Sequence, residues 1–274
     1  MTTQTQEAKK QYIFRGTNQQ KGRHLAITPE NSSMEHLSYG RIILDRQTPK
    51  TEFGSADREI GLICLSGECS IDVDGETNEI KQYDSIYIPR DSSVRIATPT
   101  SVDLAECSAD VDNKYPLQVV RYDEVKANDS LSFDTGGDAN RRRVNIALGK
   151  NIDAGRILAG FTTSEPGNWT SFPPHEHAKM LEELYVYYDM PAPAFGIQLV
   201  YSNTEEPEFV GIVRDGDAVV MPEGFHPNVS VPGHTISFVW MMAAHREVED
   251  RQFGVVNVQP GFDKGGTGLE ASRK

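Results

Sequence analysis

Apolar residues recur along this chain in short runs of period two, each closed by turn chemistry. From Arg41 onward GRIILDR, IGLICLSG, CSIDVDG, SIYIPRD and VRIATPT follow one another. The Val-Asp-Gly and Pro-Arg-Asp breaks between them are hairpin or turn sequences. A second set begins after residue 140: RRVNIALG, RILAGFTT, ELYVYYDM, FGIQLVYS, FVGIVRDG, AVVMPEG, NVSVPG and TISFVWMMAA. Only residues 121–131 offer a helical stripe. The pattern predicts an all-β protein built as a sandwich or barrel.

The spacing of these runs divides the chain. Residues 1–37 are polar, rich in Gln and Lys, and read as an arm that pairs with another element or subunit. Residues 38–120 form a first β unit and 141–246 a second. Between them residues 121–140 turn polar around Asp129, Ser130, Asp134 and Gly136-Gly137-Asp138, as a linker does. Residues 247–274 are charged, then glycine-rich, and predict an irregular tail. Each unit contains a Gly-Glu or Gly-Asp turn and an apolar run ending in proline, Tyr87-Ile88-Pro89 in one and Val220-Met221-Pro222 in the other. That layout points to an internal duplication.

Composition narrows the partners. Lys plus Arg is 27 against 40 Asp plus Glu, a net charge of −13. Such a surface repels phosphate backbones and anionic lipid, so neither nucleic acid nor membrane is expected as a partner. No run approaches the roughly 20 apolar residues of a membrane helix. The start, MTTQTQEAKKQYIF, lacks the apolar centre of a signal peptide. Cys64, Cys69 and Cys107 form no Cys-x-x-Cys pair and read as reduced core thiols, which predicts a cytoplasmic protein.

The chemistry concentrates in PPHEHAKMLEELYVYY, residues 173–188. His175 and His177 are two apart, so an extended strand presents both imidazoles on one face. In the strand that follows, Glu183, Tyr185 and Tyr187 share one face and Glu182, Leu184 and Val186 the other. His226 comes after a strand-ending Pro-Glu-Gly, a turn that a barrel can return beside the first strand. Three imidazoles and a carboxylate, without a thiolate, suit zinc, manganese, iron or nickel in an open site. Glu183 is the expected acidic ligand, because its face carries two tyrosines and the face of Glu182 resembles packing. No histidine lies between His36 and His175, so the first unit is expected to be metal-free.

These residues resemble the two split motifs of the cupin superfamily. More closely, PGNWTSFPPHEH, LEELYVYY, FGIQLVY and MPEGFHP resemble the bicupin sugar-acid isomerases, in particular 5-deoxyglucuronate isomerase of inositol catabolism. A sister family, 4-deoxy-5-hexulose-uronate ketol-isomerase, is similar through His175, His177, Glu183, Tyr185 and Tyr187. The chain departs from the first pattern where only Ala178-Lys179-Met180 separates His177 from the next strand, a place where that family has a longer insertion. The resemblance implies two double-stranded β-helix (jelly-roll) barrels and one divalent metal, zinc before manganese or iron. It also implies aldose–ketose isomerisation of a deoxy uronic acid. Tyr185, Tyr187 and Glu223 are then the candidate proton-handling groups, and Arg142, Arg143 and Lys179 the candidate cations for the substrate carboxylate. An iron-dependent cupin dioxygenase and a sugar-binding module are the alternatives, and exposed barrel edges suggest a homo-oligomer.

Overall fold

The computed structural model describes residues 11–262. Among these residues it is almost entirely β, with a single short helix, Tyr122–Lys126, in the segment where the sequence shows its helical stripe. The bicupin architecture read from the sequence is present. All eight apolar runs of the second set form strands, from Arg142–Leu148 to Ser237–Ala244.

The first barrel joins two expected strands into one. IGLICLSG and CSIDVDG are not separate strands but one, Arg58–Val73, which pairs with Ser101–Asp110 along its first part and with Glu76–Lys81 along its second. The register shifts between Cys64 and Ser66, and Gly67 follows with φ +77°. A Cβ on Gly67 would lie 2.0 Å from the Ser101 carbonyl oxygen, so only glycine fits the bend. The bulge lets one strand turn the barrel corner.

In the second barrel a seven-stranded sheet faces a four-stranded one. Leu181–Tyr187 lies between Ala218–Met221 and Ser237–Ala244 in the larger sheet; Gly196–Val200 lies between Phe209–Val213 and Asn228–Ser230 in the smaller. Residues 121–140 hold the short helix and a strand, Ser132–Thr135, which pairs with Arg142–Leu148. The polar arm serves both halves: Ile13–Phe14 pairs with Ala218–Val219 of the second barrel, and Gly22–Ile27 with Ser38–Asp45 of the first. In the tail, Asn257–Val258 pairs with His175–Glu176.

Period two explains why LEELYVY is buried throughout its length. Leu184 and Val186 point toward the other barrel and join a core with Ile63 and Cys107 of the first. Tyr185 and Tyr187 point into their own barrel, against Phe238 and Trp240. The strand is buried on both faces because the barrels pack sheet to sheet.

The two halves carry a reciprocal device at that seam. Glu59, second residue of Arg58–Val73, accepts the backbone N–H groups of Gly155, Arg156 and Ile157 at 2.6–2.8 Å. Glu182, second residue of Leu181–Tyr187, accepts those of Glu35, His36 and Leu37 at 2.5–2.8 Å. Each barrel thus reaches into the other at an equivalent place. Register agrees: Ile60 lies opposite Ile88 and Glu183 opposite Met221, each followed by the proline of its Ile-Pro or Met-Pro pair. By this equivalence Ile60, Leu62 and Cys64 stand where the second barrel has Glu183, Tyr185 and Tyr187. The first barrel's interior is filled by aliphatic side chains and holds no histidine.

Candidate metal centre and active site

His175 sits on the short strand His175–Glu176 and His177 just beyond it. Glu183 projects inward from the central strand, and His226 follows the turn after Met221. Gly224 in that turn has φ +93°, and a Cβ there would lie 3.1 Å from the Tyr201 carbonyl oxygen. The chain therefore makes its tight return only with glycine. Among the described residues the ligand atoms of His177, Glu183 and His226 all lie within 4.8 Å of one another, and all three residues are buried. His175 is half-buried beside them, its ring centroid 5.1 Å from that of His226.

Backbone carbonyls fix the imidazole tautomers. Nδ1 of His175 donates to Pro173 O at 2.9 Å, that of His177 to Leu181 O at 3.0 Å, and that of His226 to Gly224 O at 2.9 Å. A carbonyl only accepts, so each Nδ1 carries a proton and each neutral ring presents its Nε2 lone pair. Nε2 of His177 approaches Glu183 Oε2 at 2.9 Å, and Nε2 of His226 lies 3.0 Å from the same oxygen. Yet among the described residues the buried His226 Nε2 has no hydrogen-bond partner. In the neutral tautomer its 3.0 Å contact brings two acceptors together, which a cation bound to both, or a proton on Nε2, relieves. The residues fit a divalent metal: convergent imidazole and carboxylate donors with second partners already in place.

Protonation follows the same logic. Burial pushes His175 down to about 3, helped by the neighbouring His226. Burial also opposes charge on Glu183, but its contacts with His177 and His226 outweigh it and hold the carboxyl at about 2. For His177, burial is overcome by the hydrogen bond and charge of Glu183, and the net shift is upward. Without metal, the His177–Glu183 pair holds a proton where the ion would sit.

A cavity of about 90 Å³ opens beside this cluster, lined by His175 and Glu183 together with Arg142, Ser171, Tyr185 and Phe253. Arg142 is buried, gives one hydrogen bond to Asn140 O at 2.9 Å, and has no carboxylate in ion-pair range among the described residues. Burial lowers its pKa to about 10. Tyr185 Oη lies 2.7 Å from Ser171 Oγ, and burial raises its pKa well above the usual value, so it stays a phenol.

The other expected residues lie elsewhere. Arg143, one position on, points to the opposite face and pairs with Asp134 at 3.1 Å. Lys179 and Glu223 are exposed and do not line the cavity. Tyr187 donates its hydroxyl to Gln198 Oε1 inside the barrel. Several lining residues were not anticipated. Phe238, Trp240 and Met242 share one face of a strand whose alternation could have revealed them, whereas Phe253 and Ser171 carried no signal in the sequence.

Two jelly-roll barrels in one chain, the second holding an inward cluster of histidines and a glutamate, define a bicupin with a candidate metal centre. The chain belongs to the KduI/IolB family, which it matches over residues 12–256. It is 28% identical over 243 residues to the 5-deoxy-glucuronate isomerase of Geobacillus kaustophilus, covering 82% of this chain and 85% of that one. An IolB-like protein from Salmonella typhimurium superposes with a TM-score of 0.82 at 22% identity, over 92% of this chain and 98% of its own. Oxalate decarboxylase of Bacillus subtilis, a protein with Mn(II) centres, superposes at 0.60 and 11% identity, over 84% and 76%.

Proposed function

We propose that the chain is a metal-dependent aldose–ketose isomerase that converts 5-deoxy-glucuronate to 5-dehydro-2-deoxy-gluconate in inositol catabolism. The observation that carries this reading is the buried Arg142, without an acidic partner among the described residues, in the same cavity as the His/Glu cluster. A buried guanidinium without an acid awaits one, and the substrate's carboxylate is its complement. The named activity of the Geobacillus relative supports the same choice.

His175, His177, Glu183 and His226 would hold the metal, with zinc the first choice from its donor set. When bound, the ion supplies Lewis-acid polarisation of the substrate carbonyl and its neighbouring hydroxyl. Arg142 anchors the carboxylate and so fixes which carbons face the cluster. Tyr185, a phenol at neutral pH, donates a hydrogen bond to the developing enediolate oxygen, with Ser171 holding its hydroxyl in place. Phe253, Trp240 and Phe238 exclude water from the same space.

The test is an NMR time course of zinc-loaded protein with 5-deoxy-glucuronate in deuterated water, beside a His177→Ala control. Formation of the 2-deoxy-5-keto acid in the first sample alone supports the proposal. Turnover only with 4-deoxy-5-keto uronate would move the chain to the sister activity, a switch that the short Ala178-Lys179-Met180 loop makes worth testing. Oxygen uptake without isomerisation would replace both readings with an oxygenase. The edge strand Phe209–Val213, with Val210 56% and Ile212 42% exposed, favours a homo-oligomer, which light scattering would reveal.

A further inference from the structure

A second group of ligating side chains lies at the seam between the barrels. Glu35 and His36 lie just before Leu37 and the strand Ser38–Asp45 of the first barrel, and His245 immediately follows Ser237–Ala244 of the second. Their candidate ligand atoms all lie within 4.8 Å of one another. His245 Nε2 donates to Ala178 O at 3.1 Å, which leaves the lone pair of the neutral ring on Nδ1. That Nδ1 faces Glu35 Oε2 at 3.8 Å. The His36 ring meets the His245 ring edge to face, centroids 5.5 Å apart.

A separation of 3.8 Å is too long for a hydrogen bond. Two donors on one tetrahedral zinc-class ion, with bonds of about 2.1 Å, stand about 3.4 Å apart, so a small closure brings both onto one ion. Two carboxylates and one guanidinium, Arg156, bear on His36. Glu35 and the buried Glu182 contribute the carboxylates, and Glu182 already binds the backbone N–H groups of residues 35–37. The Arg156 guanidinium is turned toward the carbonyls of Asp110, Ala244 and His245. Those carbonyls and Glu182 also fix the backbone that carries all three side chains.

We propose that Glu35, His36 and His245 form a second divalent-metal site, of the zinc class, separate from the cluster inside the second barrel. Two imidazoles and one carboxylate leave a fourth position for water. An ion there joins the two barrels. Through the bond from His245 to Ala178 it also steadies the loop after His177. The site does not depend on the isomerase reading.

The experiment measures zinc per chain by elemental analysis in tag-free protein, stripped with chelator and then dialysed against micromolar Zn²⁺. The expected values are two equivalents in the wild type, one in His36→Gln/His245→Gln, and one in His177→Ala/His226→Ala. In the last variant Zn²⁺ should raise the Tm. Added Glu35→Gln, at an exposed position that does not endanger the fold, should abolish that rise. Co²⁺ as a second probe should give visible absorption in His177→Ala/His226→Ala that disappears with Glu35→Gln. One equivalent in the wild type that vanishes in His177→Ala/His226→Ala would overturn the seam site. Two equivalents retained in His36→Gln/His245→Gln would overturn it as well, as would no zinc in any form. One equivalent in the wild type that survives His177→Ala/His226→Ala and is lost in His36→Gln/His245→Gln would keep the seam site and sink the inner one.

Discussion

Arg142 concentrates the tension between stability and function in one side chain. A buried guanidinium with a single carbonyl partner costs desolvation that no carboxylate among the described residues offsets. Arg142→Met fills similar space with apolar atoms, so thermal melts should show a higher Tm. The same change removes the charge-assisted contact to a carboxylate, and kcat/KM for the uronic acid should fall about 100-fold, about 2.7 kcal/mol. A lower Tm with unchanged kinetics would place Arg142 in the packing rather than in the site. The His177–Glu183 pair yields a second expectation at this scale. His177 has its pKa raised, so its contribution is complete below the unfolded value near 6.5 and is lost as pH rises through the folded one. Glu183, held at about 2, contributes above its unfolded value near 4.5 and loses that only as pH falls through about 2. Metal-free protein should therefore weaken as pH rises above about 6.5, where a bound ion replaces the shared proton. The Tm difference between zinc-loaded and chelated protein should widen over that range; a constant or shrinking gap would contradict the pairing.

At the level of elements, the turn before His226 decides whether the cluster closes. Gly224→Ala forces a Cβ into the positive-φ region and against the Tyr201 carbonyl, at a cost of about 1–2 kcal/mol. The Gly224 carbonyl also orients the His226 ring, so zinc affinity should drop about 10-fold, the usual effect of losing a ligand's outer partner. Calorimetric zinc titration beside a melt would register both; loss of stability with full affinity would show that the turn is structural only. Elements were legible in the sequence where alternation was uninterrupted, as in Leu181–Tyr187 and Ser237–Ala244. Ser101–Asp110 escaped notice although it is central to the first barrel, because Asp103 and Glu106 break its apolar pattern. Both acids are answered from other strands, Asp103 by Arg41 and Glu106 by Arg23, a compensation that only the fold reveals. The cluster of His177, Glu183 and His226 was legible because strand periodicity and one Pro-x-Gly turn place these residues. The lining residue Phe253 was not, since it arrives from a segment with no periodicity at all.

Across the whole molecule, the reciprocal glutamates make the two barrels one unit and distinguish their tasks. Glu59 and Glu182 are buried carboxylates that each satisfy three backbone N–H groups of the opposite barrel, with Tyr87 adding a fourth bond to Glu59 at 2.8 Å. Glutamine in either place offers one acceptor oxygen and sets an amide N–H against a backbone N–H. Each substitution should then cost about 2–4 kcal/mol, seen as an earlier midpoint in urea. Their consequences for the metal centre should differ. Glu59 belongs to the barrel whose interior is aliphatic, so Glu59→Gln should leave zinc affinity unchanged while it loosens the seam. Glu182 precedes Glu183 on the same strand, and its bonds hold that strand against the first barrel, so Glu182→Gln should lower both stability and zinc affinity. Equal loss of affinity in both variants would mean that the seam as a whole tunes the centre. No loss in either would mean that the second barrel positions its ligands without help from the first, leaving the duplicated barrel a partner in folding alone.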